Sequence, residues 1–583
     1  MLNKYLLDNI GQLFKEKNYT EVILKIEQNI EVNDRTPDLL NLCGVSRLLK
    51  RNNNKMDIIS ALNDFELYYI KSKKKFQKIE AVCNFITTCV VNSQKFVEII
   101  PEFIKAKKLF EECISEVGYD EKLYIRGADL YKYTLDHSKN RNLLNELINN
   151  KTKSKISACA YGYMSMYTYD WGLKDYFEYA KNFEHFFPKH NVQKINQINY
   201  KENKKIRIGF VSKDFIANHA ITWLIKNTLL YFDKNKFETY GISLTDDTFL
   251  KGSSLELKKN FDEWFNFSKL KNEEVISKLQ EHRIEILIDT GGLFHADRIE
   301  IFNARVAPIQ ISWVGYLNTV GYPTIDYLIS DKNLTKKNEE KFYHEEIVKL
   351  PNIFSCHSGF NFKREFTESP IKKNKYITFG SFNNFLKISN EVVEVWSKIL
   401  NDINNSKLIL KSSLNISKDF VLQKFEKYNV HNSIIFHEKQ EIEEHIKSYK
   451  NIDLALDTFP YNGGLTTFEA LWAGVPVITL KGFNMMSRCG ESILKNAKLD
   501  KLISTNKDVY AQLASYYARN PDKLIDLRSK IYERILKTPL FDSEQFSKDF
   551  QNTLLNLHTK NFNKLNKKLI FQSFKRIYNI KNN

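Results

Sequence analysis

Apolar residues in the first part of the chain recur at helical spacing between polar turns, with no strand-like alternation before about residue 190. Ile10, Leu13 and Phe14, then Val22, Leu24, Ile26 and Ile30, are spaced to lie on helix faces. The phrase Leu39-Leu40-Asn41-Leu42-Cys43-Gly44 opens a further helix pair. Asn52-Asn53-Asn54-Lys55 then breaks the expected register, and later helices near Phe76 to Val91 and Phe103 to Ile114 carry no clean consensus.

The pattern changes at Lys201-Glu202-Asn203-Lys204-Lys205, a charged linker followed by the apolar strand Ile206-Arg207-Ile208-Gly209-Phe210-Val211. Strands at Tyr240 to Leu244, Ile284 to Asp289 and Ile309 to Trp313 then alternate with helices such as Glu273 to Gln280, which predicts a parallel sheet covered on both faces. A second unit of the same kind opens at Lys375-Tyr376-Ile377-Thr378-Phe379-Gly380. It continues through a helix at Glu391 to Leu400 and strands at Lys407 to Leu410, Ile434 to Phe436 and Asp453 to Leu456. The expected class is α/β, a pair of doubly wound Rossmann-like domains after an all-α, degenerate tetratricopeptide-like domain. The boundaries read as residues 1–195 (helical), 205–370 and 371–555 (the two sheet domains) and 556–583, a basic helix or tail in which Ile570, Phe571, Phe574 and Ile577 form an apolar stripe.

Composition narrows the class. With 43% hydrophobic and 27% charged residues, the 583-residue chain reads as a globular protein of several domains. Its formal net charge of +17 favours anionic partners in general, but no nucleic-acid reader motif accompanies it, and diffuse solvated lysines account for it. The seven cysteines are scattered and never form a C-x-x-C pair, which favours a reducing, cytoplasmic setting. Asp8 interrupts any signal-peptide core, and no apolar run is long enough to span a bilayer.

The chemistry concentrates in Asp453-Leu454-Ala455-Leu456-Asp457-Thr458-Phe459-Pro460-Tyr461-Asn462-Gly463-Gly464-Leu465-Thr466-Thr467-Phe468-Glu469, which reads as strand, loop and helix. Gly463 and Gly464 allow a ligand close to the backbone, and Thr466 and Thr467 place hydroxyls on the first turn. Free amides and the positive end of a helix dipole complement a diphosphate. Glu469, one turn on, can accept from ribose hydroxyls. Local physics alone is equally compatible with an ordinary capped helix ended by Gly474 and Pro476.

This stretch resembles glycosyltransferase family 41, the O-linked N-acetylglucosamine transferases and their SPINDLY-like relatives, whose signature runs approximately D-x-F-P-Y-N-G-G-T-T-T-x-x-A-L-W-x-G-V-P. Leu465 stands where the family has its first Thr, so a hydroxyl expected at the diphosphate is missing. The resemblance covers roughly residues 205 to 500 and implies donor contacts at Asn462 as well as at Gly463, Gly464, Leu465, Thr466 and Thr467. Phe379-Gly380-Ser381-Phe382-Asn383-Asn384-Phe385-Leu386-Lys387 is similar to the segment bearing the family's donor-binding lysine, with Lys387 in that place and Asn384 at a nucleotide-contacting position. A lysine there neutralises charge growing on the β-phosphate, as a divalent metal does elsewhere.

No Asp-x-Asp triplet occurs, so metal-independent transfer is expected. Ser212-Lys213-Asp214-Phe215-Ile216-Ala217-Asn218-His219 resembles the family's S-x-D-F-x-x-H block with one extra residue, which brings His219 to the site with its role open between base and ligand contact. In isolation such a histidine is more often a cap or packing residue. Leu293 and Leu317 depart from residues that many bacterial members carry, with His295 two positions further on. His445 falls near the family's nucleotide-base position.

The resemblance implies a GT-B architecture and an inverting transferase without cofactor. The donor would be a UDP-sugar, UDP-N-acetylglucosamine first, and the acceptor a polypeptide Ser or Thr held by the helical domain. Glucose or fucose as the sugar, Asn or a glycan as the acceptor, and a non-catalytic helical-repeat binding protein are the alternatives.

Overall fold

The computed structural model describes residues 4–93, 100–181, 205–411 and 417–580, with side chains to 563 in the last span except that of Ser417. The linker Lys201–Lys204 and the side chains of Ile570, Phe571, Phe574 and Ile577 lie outside the described residues. Contacts divide the chain into two units, Met1–Thr152 with Ser413–Glu426, and Lys153–Ser412 with Lys427–Asn583.

The first unit is helical, from Lys4–Lys15 and Tyr19–Asn29 through Pro37–Leu49 and Lys55–Lys71 to His137–Asn149. Ile10, Val22, Ile26, Ile30, Leu39 and Cys43 form one buried cluster. Leu24 is exposed, because a residue two positions from both Val22 and Ile26 points to the far side of a 3.6-residue helix. The asparagine run that breaks the repeat register is a turn. Asn52 adopts a positive φ of 63°, and Asn54 caps the next helix reciprocally with Asp57, accepting from its amide at 3.1 Å and donating its own amide to the carboxylate at 2.9 Å. Helix Ser417–Glu426 belongs to this unit, with Phe420 edge-on to Phe103.

The second unit holds two all-parallel sheets. In the first, β1 (Ile206–Ser212), β2 (Phe237–Ser243), β3 (Glu263–Asn266), β4 (Ile286–Asp289), β5 (Ile309–Ser312), β6 (Tyr327–Asp331) and β7 (Glu346–Leu350) are ordered β3-β2-β1-β4-β5-β6-β7. In the second, β8 (Thr378–Ser381), β9 (Lys407–Lys411), β10 (Ile434–His437), β11 (Leu454–Leu456), β12 (Val477–Leu480) and β13 (Ile503–Ser504) are ordered β10-β9-β8-β11-β12-β13. Ile208 and Phe210 on β1 and Ile286 to Ile288 on β4 are almost wholly buried, as strands covered on both faces must be. The strand order reverses beside β1 in one sheet and beside β8 in the other, and crevices open at the carboxyl ends of the strands at such switch points.

Two boundaries differ from the sequence reading. Helices Lys155–Met164 and Leu173–Lys181 group with the sheets rather than with the helical unit. Aromatic side chains explain this, since Tyr163 of the first helix packs on Phe294, and Tyr167 of the 3-10 turn Ser165–Tyr167 that follows it packs on Tyr461, with ring centroids 5.2 and 5.0 Å apart. At the other end, one helix, Ser543–Ile580, crosses position 556 without a break. Its Phe550 lies 4.3 Å from the ring of Trp313 in the first sheet domain, and Gln551 accepts from the amide of Asp233. That burial starts the helix earlier than its basic end suggested.

Candidate functional site

The carboxyl ends of β1, β4, β5, β8 and β11 open into one cavity of about 500 Å³, lined among others by Asp214, His219, His295, Asn384, Lys387 and Gly464. Both sheets contribute walls.

On the second-sheet wall the loop after β11 is built around Asp457. This buried carboxylate accepts from the amides of Thr458 at 2.9 Å and Gly463 at 2.6 Å and from the Thr479 hydroxyl at 2.6 Å. Burial pushes its pKa up to about 6 against those hydrogen bonds. Gly463 is obligatory, because a Cβ there would lie 2.7 Å from Thr466 Oγ1 and 2.8 Å from Thr467 Oγ1. Helix Leu465–Trp472 follows with no side-chain cap on its first turn, and Gly464, Leu465 and Thr466 remain partly exposed to the cavity. Uncapped amides at a helix start facing a cavity can hold an anion.

The expected contact residues take different parts. Asn462 is fully buried, its Nδ2 donating to Thr458 O at 2.9 Å and Leu480 O at 3.3 Å, so its side chain ties the loop together and its backbone carbonyl faces Lys387. Thr467 spends its hydroxyl on Gly463 O, whereas Thr466 donates to Asn383 Oδ1 at 2.9 Å. Glu469 is also buried, and its Oε2 meets His445 Nε2 at 3.1 Å and the Tyr449 hydroxyl at 3.2 Å. Asn384 is exposed on the cavity wall and accepts from the amide of Leu386.

Lys387 leaves a short 3-10 turn after β8. Its Nζ donates to Asn462 O at 2.8 Å and lies 4.0 Å from the Tyr461 ring centroid, a cation–π distance. Burial lowers its pKa to about 8, against the opposing charge of Asp457. Lys411, near Glu469, is likewise lowered to about 8 by burial and donates to Gln440 Oε1.

On the first-sheet wall His219 caps helix Ala220–Leu230, accepting from Ile221 N at 3.4 Å through Nδ1. Its Nε2 is 3.8 Å from Asp214 Oδ1, and the other Asp214 oxygen lies 3.0 Å from His295 Nε2. Burial holds His219 below the ordinary histidine range, while burial of Asp214 is outweighed by the His295 hydrogen bond and nearby positive charge, which keep its pKa low.

Asp457, Tyr461, Asn383 and Asp214 were not singled out from sequence as site residues. Asp214 and Asp457 were nevertheless visible as carboxylates just past apolar strands. Leu293 packs within 2.8 Å of the position a Cβ on Gly162 would take, so the leucine serves the helix contact and leaves His295 to face Asp214.

Two doubly wound lobes meeting at a cleft that both switch points line constitute the GT-B glycosyltransferase architecture. The family model for glycosyl transferase family 41 matches residues 185–376 and 371–550, and the chain belongs to that family. It is 31% identical over 361 residues to a Petunia hybrida protein named probable UDP-N-acetylglucosamine–peptide N-acetylglucosaminyltransferase SPINDLY, covering 60% of this chain and 38% of the relative. It is 28% identical over 371 residues to the Arabidopsis thaliana protein of the same enzyme name designated SEC, covering 61% of this chain and 38% of the other. The alignments thus span well under half the length of these relatives. A solved structure of a Thermobaculum terrenum O-GlcNAc transferase mutant superposes with a TM-score of 0.73 at 19% identity, over 87% of this chain and 95% of that one, and shares the fold.

Proposed function

We propose that the chain is an inverting glycosyltransferase that moves N-acetylglucosamine from UDP-N-acetylglucosamine to Ser or Thr of a polypeptide. The observation that carries this reading is the pairing of an uncapped helix start at Gly464-Leu465-Thr466 with the Lys387 ammonium beside it on the same wall of one cavity. The relatives' names, with their UDP-N-acetylglucosamine donor and peptide acceptor, support the choice of substrates.

The diphosphate would sit at the helix start, where the amides and Lys387 take up the negative charge that grows as the bond to the sugar breaks. A lysine in that place supplies the charge that a divalent ion supplies in metal-dependent transferases, so transfer proceeds without a metal. Glu469 and His445, expected at the nucleotide, are paired with each other and with Tyr449 and are not among the residues that line the cavity, so the ribose contact is left to other groups. The helical unit would hold the polypeptide, as stacked helix pairs form extended binding surfaces. No helix among the described residues is long and apolar enough to cross a membrane, and the seven cysteines are free, which favours a reducing, cytoplasmic setting.

The test is a panel of UDP- and GDP-sugars scored by thermal stabilisation, followed by labelled transfer. Stabilisation by UDP-N-acetylglucosamine and label in polypeptide support the reading. Stabilisation only by another sugar nucleotide, or label only in a small glycan, overturns the donor or the acceptor assignment.

A further inference from the structure

Asp214 presents its two carboxylate oxygens to two different imidazoles, and the two histidines are not equivalent. The Nδ1 of His219 accepts the backbone N–H of Ile221, so the proton of the neutral ring sits on Nε2, facing Asp214 Oδ1 at 3.8 Å. His219 therefore has no open lone pair to offer. In His295 the arrangement is reversed. Its Nε2 lies 3.0 Å from Asp214 Oδ2, so Nε2–H donates to the carboxylate and the lone pair is left on Nδ1.

The backbone is arranged around this ring. The 3-10 segment Gly292–Arg298 is kinked at His295, with φ −105° and ψ 42°. Gly291 makes room for the imidazole, since a Cβ there would lie 1.9 Å from His295 Nδ1. Gly291 is itself fixed by its amide on Asp289 Oδ1 at 2.9 Å. Asp214, Gly291 and His295 all line the cavity that Lys387 and Gly464 line from the other sheet.

Resting on the glycosyltransferase reading above, we infer that His295 is the general base of the transfer, that Asp214 is its positioning residue, and that His219 is a neutral cap and hydrogen-bond donor beside it. In the step, the acceptor hydroxyl oxygen forms a bond to the anomeric carbon. The bond from that carbon to the diphosphate oxygen breaks, and its electron pair leaves with the nucleoside diphosphate. The hydroxyl proton passes to Nδ1 of His295, and the resulting imidazolium keeps its Nε2–H on the Asp214 carboxylate. The ionisable groups facing His295 are Asp214, His219 and Asp289, with Lys213 beside Asp214 and held in turn by Asp297 at 2.9 Å.

The experiment compares His295→Gln, Asp214→Asn and His219→Gln with wild type for transfer from UDP-N-acetylglucosamine across pH, with stabilisation by UDP as the check on fold and donor site. His295→Gln is expected to lower kcat about a hundredfold or more while UDP still stabilises the protein, and to remove the acid limb of the kcat/KM profile. Asp214→Asn is expected to move that limb to lower pH, because the imidazolium loses its counter-charge, and His219→Gln is expected to retain it. Retention of the acid limb and of near-wild-type kcat in His295→Gln, or loss of the limb in His219→Gln alone, overturns the inference. A wild type that is stabilised by no sugar nucleotide overturns the functional reading itself, a result distinct from an active wild type with an unaffected His295 variant.

Discussion

The ammonium of Lys387 donates to the backbone carbonyl of Asn462 at 2.8 Å, so this cation on the cavity wall beside the helix start is tied to the glycine-rich loop itself. The loop carries both the amides and the lysine's anchor. An anion arriving at Gly464 would meet an ammonium already in place, without the cost of ordering a long side chain.

Lys387→Ala removes that charge and leaves the loop's internal hydrogen bonds intact, because Asp457 and the Asn462 side chain hold it. The expected result is a loss of about a hundredfold to a thousandfold in kcat, with a smaller weakening of donor binding. Steady-state kinetics with labelled donor checks it.

The pH dependence follows from the same lysine. Its folded-state pKa, lowered to about 8 by burial, means that the free enzyme loses the ammonium as pH rises through that value. The kcat/KM profile should fall above about pH 8. Asp457 raises the lysine's pKa, so Asp457→Asn should move this alkaline limb to lower pH. An unmoved limb would assign it to another group.

Asn462 makes a stability prediction rather than a catalytic one. Asn462→Ala leaves the buried carbonyls of Thr458 and Leu480 without their donor, costing about 1–3 kcal/mol. Urea denaturation should show a lower midpoint with an unchanged slope. Gly463→Ala should be more severe for nucleotide binding, since the new Cβ falls within 3 Å of both threonine hydroxyls.

Leu465 occupies the first helical position with an apolar side chain on the cavity wall. Leu465→Thr adds a hydroxyl there and is expected to tighten UDP binding by about tenfold, the equivalent of one net hydrogen bond. Titration calorimetry of the two proteins with UDP measures it.

Much of this architecture could be read from the pattern of the chain. The switch from helical spacing to short apolar runs at Ile206 and again near Thr378 marks where the two sheets begin, because strands buried on both faces must be apolar throughout. The short strands Glu263–Asn266 and Ile503–Ser504 were not legible, being sheet edges with too few residues to show a period. At the site, glycines and a lysine announce themselves by type, but the direction a side chain takes does not. Asn462 and Thr467 were expected to face a ligand and instead satisfy the loop's own backbone. His295 depends on a kink and on a carboxylate 81 positions earlier, which spacing cannot reveal.

The central claim is that the cleft between the two sheets holds a nucleotide sugar against Lys387 and transfers the sugar to a polypeptide. The most direct measurement is the initial rate at which label from UDP-N-acetylglucosamine enters acceptor polypeptide, for wild type and for Lys387→Ala at saturating donor. The expected result is incorporation by wild type and a rate at least about a hundredfold lower in the variant. Equal rates in the two proteins, or no incorporation by a wild type that UDP-N-acetylglucosamine stabilises, would contradict it.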